Sequence, residues 1–168
     1  TTGDRGVAER LRSLRNHGAE GMMADGSGMA DFVRPAWNYR MTDLQGAVLR
    51  AQLGQLGSFV ARRQAIAAVY DDRFSDLPLR RQPTPAGSEH SFQSYVVRTE
   101  ARDALAAHLD KRGVQTRQGT HAIHLLGAYR DRYAPDALPG CRDAHEHTLA
   151  LPMFPTLTDA QIDYVVEQ

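Results

Sequence analysis

The chain has 168 residues, with 20 Lys plus Arg balanced by 20 Asp plus Glu, enough for one domain or for a small domain with part of another. Charge balance excludes a polybasic surface for nucleic acid or a membrane tether, and no apolar run is long enough to cross a bilayer as a helix. A single cysteine, Cys141, excludes an internal disulfide framework, and 42% hydrophobic with 24% charged residues is an ordinary globular mixture, so a cytoplasmic protein is expected.

Residues 8–16, AERLRSLRN, place Leu11 and Leu14 three apart among arginines. That spacing predicts a short amphipathic helix, closed by Gly18. Residues 18–31, GAEGMMADGSGMAD, are glycine-rich and without apolar period, which predicts a mobile loop. Thr42-Asp43-Leu44-Gln45 is a capping box. Leu49, Leu53, Leu56, Val60, Ile66, Val69 and Tyr70 then recur at helical spacing up to Phe74. The pattern predicts one long helix from 42 to about 74. Gly46, Gly54 and Gly57 each weaken it by about 1 kcal/mol relative to Ala, which suits either a closely packed backbone or a solvated face.

Leu77-Pro78 stops the helix, and RRQPTPAGSEH reads as a link. SFQSYVVR, 91–98, alternates and is rich in β formers, so it predicts a strand. Thr99 is expected to cap a helix running to Arg112 and closed by Gly113. VQTRQGTHAIH, 114–124, opens as a second strand. Residues 125–133 read as a short helix or turn carrying Tyr129 and Tyr133. AHEHTLAL, 144–151, reads as helix, ended by Pro152 and Pro155. Thr158-Asp159-Ala160-Gln161 is a second capping box opening a terminal helix. The order β-α-β-α-α describes a small α+β domain behind one long helix.

Asn38, Tyr39 and Arg40 stand just before the N-terminus of the long helix. Free backbone N–H groups and the macrodipole favour an anion there, and Asn38 and Arg40 add side-chain donors. Asp43 opposes with its own charge, so the spacing fits either a ligand anion or a self-satisfied helix start. His121 and His124 would fall on opposite faces of a strand, which excludes a shared metal. Cys141, His145 and His147 match no closed zinc spacing and read as surface residues of a helix. Neither a phosphate loop with its lysine nor a nucleophile elbow is present.

NYRMTDLQGAVLRAQL resembles the signature of the DegT–DnrJ family of sugar aminotransferases, which are pyridoxal-phosphate enzymes of fold type I. The resemblance continues in family order. TTGDRG resembles the segment after the family's cofactor-anchoring lysine, and AERLRSLRNHG the helix that follows. GVQTRQGTHAIHLLGAY resembles the small-domain stretch leading to a substrate-contacting histidine. LPGCRDAHEHTLALPMFPTLTDAQIDYVV resembles the closing segment. Two departures stand out: TTGDRGVAERL is shorter than the family pattern and lacks its intervening strand, and Trp37 replaces a small-then-aromatic pair.

The resemblance implies an α/β protein in which a long interdomain helix leads into the small α+β domain of a fold type I transferase. Residues 1–34 would be a remnant of the large cofactor-binding domain with a mobile loop, and 35–168 the small domain with its leading helix. Asn38 and Arg40 would bind pyridoxal 5'-phosphate, Asn38 reaching across a homodimer interface to the phosphate. His124, His121 and Tyr39 would contact substrate. The partners would be a nucleotide-linked keto-sugar and an amino donor such as glutamate. The family's lysine precedes the segment matching Thr1–Gly6, so the chain is expected to be a fragment or processed product, inactive alone. Lys111, its only lysine, belongs to a helix C-terminus. A sugar dehydratase, with His in place of that lysine, and a non-catalytic dimerising remnant are the alternatives.

Overall fold

A computed structural model describes all 168 residues. They form two compact units, Thr1–Gly54 and Gln55–Gln168. The division falls at Gly54, not between residues 34 and 35 as the sequence suggested.

In the first unit α1 spans Arg5–Leu14. Asp4 caps it, its carboxylate accepting from the Val7 N–H at 2.9 Å, which satisfies one of the orphan donors of the first turn. His17 and Gly18, both at positive φ (59° and 83°), turn the chain. A Cβ at Gly18 would collide with the Arg34 carbonyl, so glycine is required there on steric as well as conformational grounds. The expected loop at 18–31 contains a hairpin instead. β1, Ala19–Met22, pairs antiparallel with β2, Ala30–Phe32. The turn signals between Asp25 and Gly28 are those of a hairpin. Their flanking strands lack alternation because neither strand sets a face against a core: only Ala19 and Ala30 are even half-buried.

The single helix expected over 42–74 is two helices, α2 (Asp43–Leu53) and α3 (Leu56–Arg73). The capping box at Thr42 is fully formed. The interruption lies at Gly54-Gln55, where the Gly54 N–H to Arg50 carbonyl bond lengthens to 3.4 Å. Gly54 and Gly57 lie on either side of Gln55, and both lower helix propensity, so the break falls where the backbone resists it least. No residue of α2 is buried, whereas α3 buries Ile66, Ala67 and Tyr70.

The second unit is built on an antiparallel sheet of order β3-β4-β6-β5, with β3 Arg80–Arg81, β4 Tyr95–Arg98, β5 Arg117–Gln118 and β6 Thr148–Leu151. Helices α4 (Arg102–Lys111), α5 (Pro139–His147) and α6 (Asp159–Glu167) complete it, with a 3₁₀ turn at Ile123–Leu125. Strands β4 and β6 are central. Tyr95, Val97, Leu149 and Leu151 face inward in strict alternation and meet Ile66, Tyr70, Phe74, Leu109, Ile162 and Val165. The segment 144–151, expected as helix, is helix only to His147; Thr148–Leu151 is the strand that holds the sheet together. Four residues are too few to show a period of two against the helix before them. The strand expected from 91 begins at Tyr95, and α4 starts at Arg102 with Thr99 accepting only from the Ala101 N–H, at 3.3 Å.

Two buried tyrosines keep polar partners. The Tyr70 hydroxyl donates to the Pro152 carbonyl at 3.0 Å, and the Tyr95 hydroxyl to Asp71 Oδ1 at 2.8 Å. Burial pushes the Tyr70 hydroxyl up to about 12. It raises that of Tyr95 further, with help from the Asp71 carboxylate. No helix is long and apolar enough to cross a membrane.

Candidate functional site

In the first unit residues 37–40 run as an extended strip along the end of α1. The Trp37 N–H donates to the Leu14 carbonyl (3.2 Å), the His17 N–H to the Trp37 carbonyl (2.9 Å) and the Tyr39 N–H to the Arg15 carbonyl (2.9 Å). Asn16 and Asn38 form an isolated antiparallel bridge. An extended backbone alternates its side chains, and the strip does so. Trp37 and Tyr39 stack at 5.6 Å with planes 6° apart. On the alternate positions Arg40 Nε donates to Asn38 Oδ1 at 3.3 Å.

That bond settles the Asn38 amide. Its oxygen is taken, so its Nδ2 presents two N–H donors that meet no protein acceptor. Arg40 spends only Nε, and its two terminal nitrogens make no hydrogen bond within the protein. The capped N-terminus of α2 follows two residues later, adding its dipole. Asn38, Tyr39 and Arg40 are all solvent-exposed, Tyr39 at 71%. Asp43 stays in the first turn of α2 as a counterweight.

His121 and His124 lie in the second unit. A 3₁₀ turn, not a strand, carries the chain through Ile123–Leu125, so the opposite-face expectation does not describe them. His121 is exposed, and its ring lies 6.1 Å from that of His145. His124 is 3% exposed. Its Nε2 is 3.4 Å from the Pro135 carbonyl, and its Nδ1 is buried without a partner. An unsatisfied buried nitrogen costs about 1–3 kcal/mol, which marks a place where an incoming polar group would be rewarded.

The residue that organises this region is His145, which the sequence reading put on a helix surface. His145 Nδ1 accepts from Gln118 Nε2 at 2.6 Å and from the Ala122 N–H at 3.2 Å. Both partners can only donate, so the ring proton resides on Nε2. Gln118 also donates to the His145 carbonyl at 2.7 Å. These bonds tie the segment carrying His121 and His124 to the last turn of α5. Gly119 allows it to approach, since a Cβ there would lie 2.6 Å from Val96 Cγ1 and 2.7 Å from Thr148 Cβ. Periodicity could not show contacts between residues 27 apart, and the sequence carried no other signal for the bonds of His145.

His147 also belongs to a network and not to free surface. Arg98 grips Asp143 with two bonds (3.0 and 2.7 Å) and Glu100 with a third (2.7 Å). His147 Nε2 lies 3.1 Å from Glu100 and its Nδ1 3.1 Å from Asp143. The Arg98 fork holds the Asp143 carboxyl below its usual range, and the hydrogen bonds that Arg98 donates to both acids raise its guanidinium. Cys141 is exposed and stands apart from these contacts.

The chain is similar to solved aminotransferases over nearly its whole length. It shares 34% identity with Streptomyces venezuelae DesV, solved in complex with a ketimine intermediate, covering 99% of this chain and 44% of that one with a TM-score of 0.87. It shares 31% with a DegT DnrJ EryC1 StrS aminotransferase from Brucella abortus, covering 99% and 43%, TM-score 0.85. A Streptococcus pneumoniae protein assigned to the sugar aminotransferases, in its PLP-form, is 25% identical over 99% and 43%, TM-score 0.87. The chain thus spans under half the length of these proteins, with the fold of their matching portion. A family model covers residues 1–168, and the chain belongs to the DegT/DnrJ/EryC1/StrS aminotransferase family.

Proposed function

We propose that this chain is part of a pyridoxal-phosphate-dependent aminotransferase that moves an amino group, from a donor such as glutamate, to a keto-sugar carried on a nucleotide. One observation carries its share of the work. Asn38, its oxygen held by Arg40 Nε at 3.3 Å, offers a fixed pair of N–H donors just before a capped helix N-terminus. That donor set fits a phosphate dianion.

When bound, pyridoxal phosphate supplies the electron sink for breaking and forming the C–N bond. The residues of this chain bind and orient. Asn38 Nδ2 donates to the phosphate, in the neighbouring subunit of a homodimer. Arg40 fixes the amide and adds charge. Tyr39, exposed and stacked on Trp37, offers a ring edge to the substrate. His121 and His124 line the substrate side, and the unpartnered Nδ1 of His124 supports a contact to a sugar hydroxyl. Lys111 lies exposed in the last turn of α4, where a cation complements the helix dipole. We assign it no role in anchoring the cofactor, so this chain by itself turns over no substrate.

The test is cofactor binding to a full-length enzyme containing this chain. Losing one charge-assisted hydrogen bond is worth about 1.5–3 kcal/mol, so Asn38→Ala should weaken pyridoxal-phosphate affinity about ten- to a hundredfold. Unchanged affinity would refute the assignment. Turnover of a nucleotide keto-sugar by the purified 168-residue chain would refute the rest.

A further inference from the structure

We propose that His145 is a positioning residue for recognition of the keto-sugar, acting through His124 and resting on the reading that places His124 on the substrate side. The mechanical path between them is continuous. His145 Nδ1 accepts from the Ala122 N–H at 3.2 Å. The Ala122 carbonyl in turn accepts from the Leu125 N–H at 2.9 Å, which closes the 3₁₀ turn Ile123–Leu125 that carries His124. One ring nitrogen therefore holds the residue from which that turn starts. Upstream, the same Nδ1 and the His145 carbonyl accept from Gln118 Nε2 (2.6 and 2.7 Å), and the Gly119 N–H donates to the Thr148 carbonyl at 3.1 Å.

His145 itself stands on a fixed base. Arg102 Nε donates to the Glu146 carbonyl at 2.9 Å and the Thr99 N–H to the His147 carbonyl at 2.9 Å, and α5 runs directly into the central strand β6. On the far side of His124 restraint is sparse. Residues 126–138 are all exposed, and their tie to the His124 ring is the 3.4 Å approach of Nε2 to the Pro135 carbonyl. The place of His124 is thus set from the Ala122 side, where His145 acts. A hydrogen bond to a sugar hydroxyl weakens steeply out of line, so the buried, unpartnered Nδ1 of His124 serves a substrate only while its turn is held. His145 contributes by holding an aimed group without touching the ligand.

The test uses a full-length enzyme containing this chain, with uridine- and thymidine-diphosphate 4-keto-6-deoxyhexoses as acceptor probes and glutamate as donor, assayed well below the Tm of every variant. His145→Ala should raise the KM for the acceptor about three- to tenfold, the loss of one neutral hydrogen bond, with kcat changed less than about twofold. The glutamate half-reaction, followed by the absorbance of the cofactor, should keep its rate within about twofold, because the donor carries no sugar. Equal damage to both half-reactions is what mere loosening of the fold produces, and overturns the positioning role. His145→Asn places an oxygen where Nδ1 stood and should restore most of the acceptor KM, whereas the oxygen of His145→Gln reaches the Nε2 position and should not. An Asn variant no better than Ala, or a Gln variant equal to Asn, overturns the role. His147→Ala loosens the same helix end through Glu100 and Asp143 and should leave the acceptor KM within about twofold; a rise equal to that of His145→Ala overturns the role. Combined His124→Ala and His145→Ala should be no worse than His124→Ala alone, and additive losses overturn action through His124. The two readings fail separately. If His124→Ala raises the acceptor KM and His145→Ala does not, the substrate-side reading stands and this one falls. If His124→Ala leaves that KM unchanged, or the parent enzyme turns over neither probe, the substrate-side reading falls and takes this one with it.

Discussion

Replacing His145 by Ala strands one buried donor and weakens another. The Ala122 N–H loses its acceptor, and Ala122 is 1% exposed, so water cannot easily take over. An orphaned buried N–H costs about 1–3 kcal/mol. Gln118 loses its 2.6 Å bond to the ring but keeps the His145 carbonyl, a loss of about 0.5–1 kcal/mol. Together the change should destabilise the second unit by about 1.5–4 kcal/mol, most of the range left to a single substitution outside the exceptional cases. Urea unfolding followed by tyrosine fluorescence measures this, provided the m-value is unchanged. Amide exchange at Ala122 is the local check, and its protection should fall with the global loss. His145→Asn should recover part of both, since its side-chain oxygen can accept in place of Nδ1. A cost below about 0.5 kcal/mol, the level of an ordinary surface substitution, with Ala122 still protected, would show that His145 does not organise this segment.

Gly119→Ala should destabilise by about 1–3 kcal/mol through overpacking against Val96 and Thr148; a Tm equal to that of the parent would refute the close approach. Asp143 contributes stability that depends on pH with a definite sign. Its folded carboxyl is lowered by Arg98, so the contribution is complete above the unfolded value of about 3.9 and is lost as pH falls through the lowered folded value. The acid limb of a Tm-versus-pH curve should therefore flatten in Asp143→Asn, and an unchanged limb would contradict the pairing.

The sequence carried the strong local signals and lost the distant ones. Both capping boxes appear as expected because each is written in four consecutive residues. The alternation of β4 and part of the inward face of α3, Ile66 and Tyr70, follow from periodicity, whereas Leu56 and Val69 of the same expected stripe are exposed. The long helix failed at Gly54-Gln55 because apolar spacing continued through a point where two glycines weaken the backbone, and the spacing was weighed above the propensity. β6 was missed because four residues after a helix leave too short a record of alternation. The contact of Arg40 with Asn38 has a local record in the sequence, because an amide and a guanidinium two apart share one side of an extended strip. The grip of His145 on Gln118 and Ala122 has none, since it joins residues on separate elements through a ring nitrogen.

The central claim is that Asn38 serves the cofactor phosphate of the neighbouring subunit. Heterodimers of the full-length enzyme, combining one Asn38→Ala subunit with one subunit lacking the cofactor-anchoring lysine, test it most directly. If Asn38 reaches across, its loss damages the site of the lysine-lacking subunit, so both lesions fall in one site and the other stays intact. About half the activity of the parent dimer should then survive, at parent cofactor affinity. A heterodimer with no intact site, one site lacking the lysine and the other binding cofactor about ten- to a hundredfold more weakly, would show that Asn38 serves its own subunit and would contradict the account.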